Sequence, residues 1–433
     1  MLNFSMINLV RRNGKKMDKG IRQEMVNFYK PFRYIPCFLQ SPIERVRKKT
    51  KKLPVVIKFK PDNFTSGLHE VKNTKYKTLR EFHSISCCSA KFSAEKIEHL
   101  IENCNHIEKI YYDRKVFSLL DTASSSVNAD VLKDNGLTGE GSTIAVIDTG
   151  IHPHEDLEGR IIGFADFVKG QTNPYDDNGH GTHCAGDAAG NGALSDGQYQ
   201  GPASEANLVG VKVLNKMGSG SLSTVIEGID WCIQNQSKYN INILSLSLGS
   251  DATEPAVDDP VVNAVETAWD NGMVVCVAAG NSGPGEKTIG SPGISPKVIT
   301  VGAADDSNTA ERSDDSVAEF SSRGPTIDGL TKPDLLTPGV DIVSLRAPSS
   351  FIDKTNKSAR VDGNYISLSG TSMATPICAG IVAQLLQSDS SLTPDQVKEK
   401  LMAACEDLGQ SPNVQGAGYL NAANLLNQEE AKV

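Results

Sequence analysis

Apolar and polar positions follow no sustained period over residues 1–53, where Gln23–Tyr29 reads as one short helix and Pro31 and Pro36 interrupt the stretch beyond it. From Pro54 a pattern sets in: strand (Pro54–Phe59), a helix-compatible segment (Thr65–Leu79), strand (His83–Phe92), helix, then strand again at Ile107–Tyr112 and Val116–Leu120. The second helix is the clearest, with Ser93 as its cap and Ile97, Leu100, Ile101 and Cys104 along one face. Two helices over one small sheet predict an α+β unit of about 65 residues.

A polar stretch, Asp121–Asp130, precedes a different rhythm. Continuous apolar strands at Thr143–Ile147, Asn207–Leu214, Ile243–Leu248, Met273–Ala279 and Val298–Val301 alternate with helices that start near His180 and cover Ser221–Asn235 and Pro260–Asp270. The chain closes with helices over Ser372–Gln387 and Thr393–Asp407, the last opening on a capping box, Thr393 to Gln396. Strands that are apolar throughout must be covered on both sides. The fold class is therefore α/β, a mainly parallel sheet with helices on both faces, preceded by a small α+β domain. The division is 1–53, a basic leader; 54–120, the small domain; and 121–433, the main domain.

Charge sharpens that division. Residues 1–120 hold 25 Lys and Arg against 11 Asp and Glu, whereas residues 121–433 hold 18 against 41. A basic segment docking on an acidic body fits this split. The run Arg45–Lys52 reads as a solvated linker; it lacks the interleaved aromatics of single-strand binders, so nucleic acid is not an expected partner. No 18-residue apolar run predicts a membrane span. Nine scattered cysteines without C-x-x-C spacing predict neither a disulfide framework nor a zinc site, and with no signal-peptide pattern at Met1–Val10 they point to a reducing, cytoplasmic setting.

Three segments carry candidate chemistry. Ile144–Ile147 runs into Asp148-Thr-Gly150 at a strand's carboxyl end, where open parallel sheets place working residues. Asp177-Asn-Gly-His-Gly-Thr-His-Cys-Ala-Gly186 packs small residues around His180 at a helix start. His183, three positions on, points elsewhere and reads as structural; Cys184, one turn on, is expected near the imidazole. Ser369-Gly-Thr-Ser-Met-Ala-Thr-Pro376 sets Ser372 at a helix entrance, where free N–H groups favour a developing oxyanion, with Pro376 expected in the first turn, where its missing N–H costs little. The order Asp148, His180, Ser372 differs from that of trypsin-like enzymes and of α/β-hydrolases, and the serine lacks the G-x-S-x-G elbow. H-E-x-x-H is absent, which disfavours a zinc protease.

With these motifs, residues 130–425 resemble the catalytic domain of the subtilisin-like serine proteases (subtilases). The whole chain is similar to the intracellular bacterial subtilases of the AprX type, which carry a basic leader. The resemblance implies a serine endopeptidase with Asp148, His180 and Ser372 as its triad and Asn281, in Ala278-Ala-Gly-Asn281, as oxyanion donor. Gly218-Ser219-Gly220 and Ser247-Leu248-Gly249 resemble the segments that sandwich a peptide substrate, and Gly290 resembles the floor of the primary specificity pocket, which implies broad specificity with large apolar P1 residues preferred. Residues 54–120 are similar in pattern to the family's inhibitory propeptide, so the chain's own N-terminal region is an expected inhibitor, with self-cleavage between Val116 and Asp121. No cofactor is required for the chemistry. Structural calcium enters through Asp156, which resembles a family ligand, although the loop Gly190–Gly201 departs from the usual length. Two further readings stay open: a catalytically inactive subtilase fold that acts as a binding protein, and an N-terminal module that stays attached as a regulator.

Overall fold

A computed structural model of the chain describes residues 5–29, 32, 37–60, 63–74, 76–113, 115–118, 127–307 and 314–430. The chain forms two compact units, one of residues 1–114 with 221–230, the other of residues 115–220 with 231–433.

In the first unit, four antiparallel strands order as Lys77–Phe82, Cys87–Ser93, Lys52–Phe59 and Ile107–Tyr112. The helix Ala94–Asn103 buries Ile97, Leu100 and Ile101 and is capped by Ser93, whose hydroxyl accepts from Lys96 N. A boundary at residue 53 does not hold, because it falls inside the strand Lys52–Phe59. The segment read as a leader supplies Leu9, Met17, Ile21, Met25, Phe28 and Phe32 to the same core as Val55, Ile57 and Phe92. Its helices, Ser5–Asn13, Lys19–Asn27 and Cys37–Thr50, are amphipathic under a heavy load of lysine and arginine. The run Arg45–Lys52 is therefore not a solvated linker. It is helical to Thr50; Lys48 pairs with Glu98, Lys51 with Glu24 at 2.7 Å, and Arg47 lies 5.2 Å from the Phe28 ring centroid. Long basic side chains here cover apolar surface with their stems while the charged ends find carboxylates.

The second unit carries a ten-stranded sheet, parallel across Leu335–Pro338, Ile299–Asp305, Val274–Ala278, Ile241–Leu246, Thr143–Asp148, Asn207–Lys212 and Ile161–Asp166 in that order. Thr143–Asp148 and Val274–Ala278 are buried at every position, as a sheet covered on both sides requires. Two helices beside each other begin at the His180 and Ser372 motifs: His180–Ala189, packed on Thr143–Asp148, and Thr371–Ser388, packed on the strands from Ile241 to Pro338. Both lack a polar face because neither meets water on any side until Gln387. The capping box at Thr393 and Gln396 forms. Val116–Leu120, read with the small sheet, is instead a strand over Lys115–Ser118 that belongs to the second unit. The domain boundary at 120/121 and part of the 116–121 cleavage window lie outside the described residues. Among the described residues, no helix is long and apolar enough to cross a membrane.

Candidate active site

Asp148 ends its strand opposite Lys212 of the neighbouring strand, while Ser247 and Asn281 follow the carboxyl ends of the next two strands on the other side. The sheet edge thus brings four adjacent strand ends to one place. His180 is the first residue of its helix and is fully buried; its Nδ1 lies 2.8 and 2.9 Å from the two Asp148 oxygens. Gly181 allows this approach, since a Cβ there would stand 2.3 Å from the Gly150 carbonyl and 3.1 Å from Asp148 Cβ. Burial, the largest single effect, disfavours the imidazolium, but the Asp148 charge, its hydrogen bond to the ring and the neighbouring Cys184 together outweigh it and hold the His180 pKa well above its ordinary value.

Ser372 is the second residue of its helix, and its hydroxyl donates to the Ser247 carbonyl at 3.2 Å. Pro376 sits beyond the first turn, which corrects the expectation from sequence: its missing N–H would have bonded to the Ser372 carbonyl. That carbonyl accepts instead from Ser247 Oγ at 2.7 Å and from the Cys184 thiol at 3.4 Å. The proline thus leaves the Ser372 carbonyl free to accept from Ser247 and Cys184. Cys184 also lies 3.7 Å from His180 Nδ1, and burial first, with Asp148 adding, pushes its thiol up to about 11 against the opposing pull of His180. It is a neutral thiol in this setting. His183 turns away, with Nδ1 2.9 Å from Asp187 and Nε2 facing the Ile342 and Ile366 carbonyls.

Asn281 Oδ1 accepts from both the N–H and the hydroxyl of Thr371, each at 3.0 Å, which fixes the amide plane and leaves Nδ2 as its donor. Sequence reasoning does not single out Thr371, although it lies inside the same Gly-Thr-Ser motif. Gly290 N donates to the Ala279 carbonyl at 3.0 Å, and a Cβ at Gly290 would stand 2.9 Å from the Ser250 carbonyl, so glycine is required at this close approach. The two segments expected to hold a peptide are short strand edges, Leu248–Gly249 and Ser219–Ser221, the latter entered through Gly218. Lys115–Ser118 lies between them as the middle strand of three, antiparallel to Leu248–Gly249 with Ser118 opposite Leu248 and Phe117 opposite Gly249.

Asp156 does not suit a cation. Its Oδ1 accepts from Leu194 N at 3.1 Å and its Oδ2 from the Tyr365 hydroxyl at 2.7 Å, while its main-chain oxygen accepts from Asn191 N at 3.2 Å and from Arg160. Calcium takes about six to eight oxygen ligands, whereas the partners that reach Asp156 here are N–H and O–H donors. Among the described residues, the one group of three donors close enough to share an ion is Asp148, His180 and Cys184, where the carboxylate and imidazole already face each other. The described cysteines are free thiols.

Residues 139–419 match the subtilase family. The chain is 53% identical over 441 residues to serine protease AprX of Bacillus subtilis (strain 168), covering 98% of this chain and 99% of that protein. It is 35% identical over 359 residues to the alkaline protease of Alkalihalobacillus alcalophilus, covering 82% and 83%. With subtilisin E of Bacillus subtilis (strain 168) it shares 33% over 352 residues, covering 80% and 82%.

Proposed function

The chain belongs to the subtilase family and is a serine endopeptidase of the subtilisin type, and from that premise we propose that Asp148, His180 and Ser372 form its triad and that the chain processes itself. The observation that carries the triad is the buried contact of His180 Nδ1 with both Asp148 oxygens, at 2.8 and 2.9 Å, beside the helix that bears Ser372. Ser372 Oγ attacks the peptide carbonyl; its proton passes to His180 Nε2 and then to the leaving amine; Asp148 fixes the Nδ1–H tautomer and stabilises the imidazolium. The carbon–nitrogen bond breaks as the acyl-enzyme forms, and water releases the acid by the same route. Asn281 Nδ2 and Ser372 N stabilise the oxyanion.

The substrate adds as a strand between Gly218-Ser219-Gly220 and Ser247-Leu248-Gly249, with P1 over Gly290. Lys115–Ser118 lying between these edges supports a role for the N-terminal region as inhibitor, and Leu119 and Leu120 offer large apolar P1 side chains for a cut between Val116 and Asp121. The free thiols support action in a reducing compartment such as the cytoplasm. The test compares full-length wild type with Ser372→Ala by intact mass and by hydrolysis of a peptide with Phe or Leu at P1. Loss of about 116–121 residues and hydrolysis by wild type alone is the expected result. A wild type that stays whole yet hydrolyses makes the N-terminal region an attached regulator; one that does neither supports the inactive binding protein.

A further inference from the structure

Asp176 is buried in the loop before the His180 helix and is not one of the residues that touch the reacting atoms. Its carboxylate accepts five hydrogen bonds. Oδ1 takes Thr149 Oγ1 at 3.0 Å, Asn178 N at 3.0 Å and Gly179 N at 2.8 Å; Oδ2 takes Thr182 N at 3.0 Å and Thr182 Oγ1 at 2.7 Å. Two of its donors come from the first turn of the His180 helix and one from the residue after Asp148.

A helix start leaves its first N–H groups without partners inside the helix. Here the cap residue is Gly179, which has no side chain to accept them. Three substitutes take over: His180 N donates to Asn178 Oδ1 at 3.1 Å, Gly181 N to Thr149 Oγ1 at 2.8 Å, and Thr182 N to Asp176 Oδ2. The Thr149 hydroxyl works in both directions, accepting from the helix and donating to Asp176. Thr149 N also donates to Asp148 Oδ1 at 2.7 Å. A continuous chain of hydrogen bonds therefore runs from the Asp148 carboxylate, through Thr149 and Asp176, to the turn that begins with His180. An ordinary helix cap would not reach the strand that bears the other member of the pair.

We infer that Asp176 is a positioning residue for catalysis: with Thr149 and Thr182 it clamps the His180 helix to the Asp148 turn and so sets the Asp148–His180 contact. The inference rests on the proposed triad. A second tether crosses the same gap, where Lys212 Nζ donates to the Thr149 carbonyl and to Asp177 Oδ1 at 2.8 Å, so loosening the clamp shifts the pair rather than dismantling the site. A displacement of an ångström in a reacting group costs about 100-fold in rate.

The experiment uses the full chain and three variants. Thr149→Val keeps the shape and removes the bridging hydroxyl without changing charge; Thr149→Ser keeps the hydroxyl; Asp176→Asn removes the carboxylate. Each is titrated to completion with a fluorophosphonate that labels Ser372, so that kcat and KM refer to folded sites. The pH dependence of kcat/KM is recorded alongside, the titratable groups acting on His180 being Asp148, Cys184 and Asp187. Expected are a loss of about 10- to 100-fold in kcat for Thr149→Val and Asp176→Asn with KM within about twofold, an acid limb displaced to lower pH, and near wild-type values for Thr149→Ser. Thr149→Val with wild-type kcat per labelled site and an unmoved acid limb would show that the network only supports the fold and would overturn the inference. If Asp176→Asn does not fold, the threonine pair still decides. Failure of the triad itself reads differently, because His180→Ala would then keep its activity.

Discussion

The sulfur of Cys184 lies 3.7 Å from Nδ1 of His180, one helical turn along, on the side of the imidazole that faces Asp148. Both residues are fully buried. A bulky mercurial on Cys184 cannot be housed without moving His180. Treatment with 4-chloromercuribenzoate is expected to abolish peptide hydrolysis, while Cys184→Ala keeps activity and resists the reagent. A wild type fully modified at Cys184 and fully active would refute this.

Asn281→Ala removes the side-chain donor together with the oxygen that accepts from the Thr371 N–H and hydroxyl. The expected loss is about 10²–10³ in kcat, the range typical for removal of this donor from a subtilisin, with KM little changed. An equal loss carried by KM would mean that Asn281 binds substrate and does not serve the transition state.

Activity needs the neutral imidazole, so kcat/KM rises with pH through the His180 pKa and is lost below it. Asp148 raises that pKa, and burial alone would lower it. Asp148→Asn therefore moves the acid limb to lower pH, while the plateau falls by a factor on the order of 10⁴. A pH–rate profile in which the limb stays put would separate Asp148 from the group that titrates.

At Asp156 the expected outcome concerns stability. A chelator leaves the melting temperature of the wild type unchanged, because donors from Leu194 and Tyr365 occupy the carboxylate. Tyr365→Phe strands a buried oxygen and costs about 1–3 kcal/mol in urea unfolding. A melting temperature that drops on chelation would restore the metal.

Asp148, His180 and Ser372 stand out in the sequence because Asp148 closes an apolar strand ahead of Thr149 and Gly150, while His180 and Ser372 lie among small residues where a loop enters a helix, and the approach of Cys184 follows from helical spacing alone. Of the N-terminal helices only the one read at Gln23–Tyr29 is legible, shifted from its observed span Lys19–Asn27; the other two are masked by their lysines and arginines, although Met17, Ile21, Met25 and Phe28 share the core. Leu335–Pro338 carries prolines at its margin and its end and lacks a strand's usual signature, so only its neighbour in the sheet reveals it. Asp176 has no local signal at all. Its meaning comes from Thr149, 27 residues away in sequence, and from Thr182 on the helix beyond it.

The strand Lys115–Ser118 occupies the middle of its three-stranded sheet, between the two edges to which the proposed function assigns an incoming peptide. An occupant tethered to its own site is present at an effective concentration in the millimolar range, whatever the dilution of the protein. On the proposed reading of these edges as the substrate site, substrate at micromolar levels competes poorly with it at comparable affinity. Severing the tether changes the arithmetic, because the same strand then becomes a separate molecule whose occupancy falls as the protein is diluted. If the proposed self-cleavage holds, onset of activity in the full chain depends first on that covalent cut and afterwards on concentration, so that the cut acts as a timer and dilution as the release.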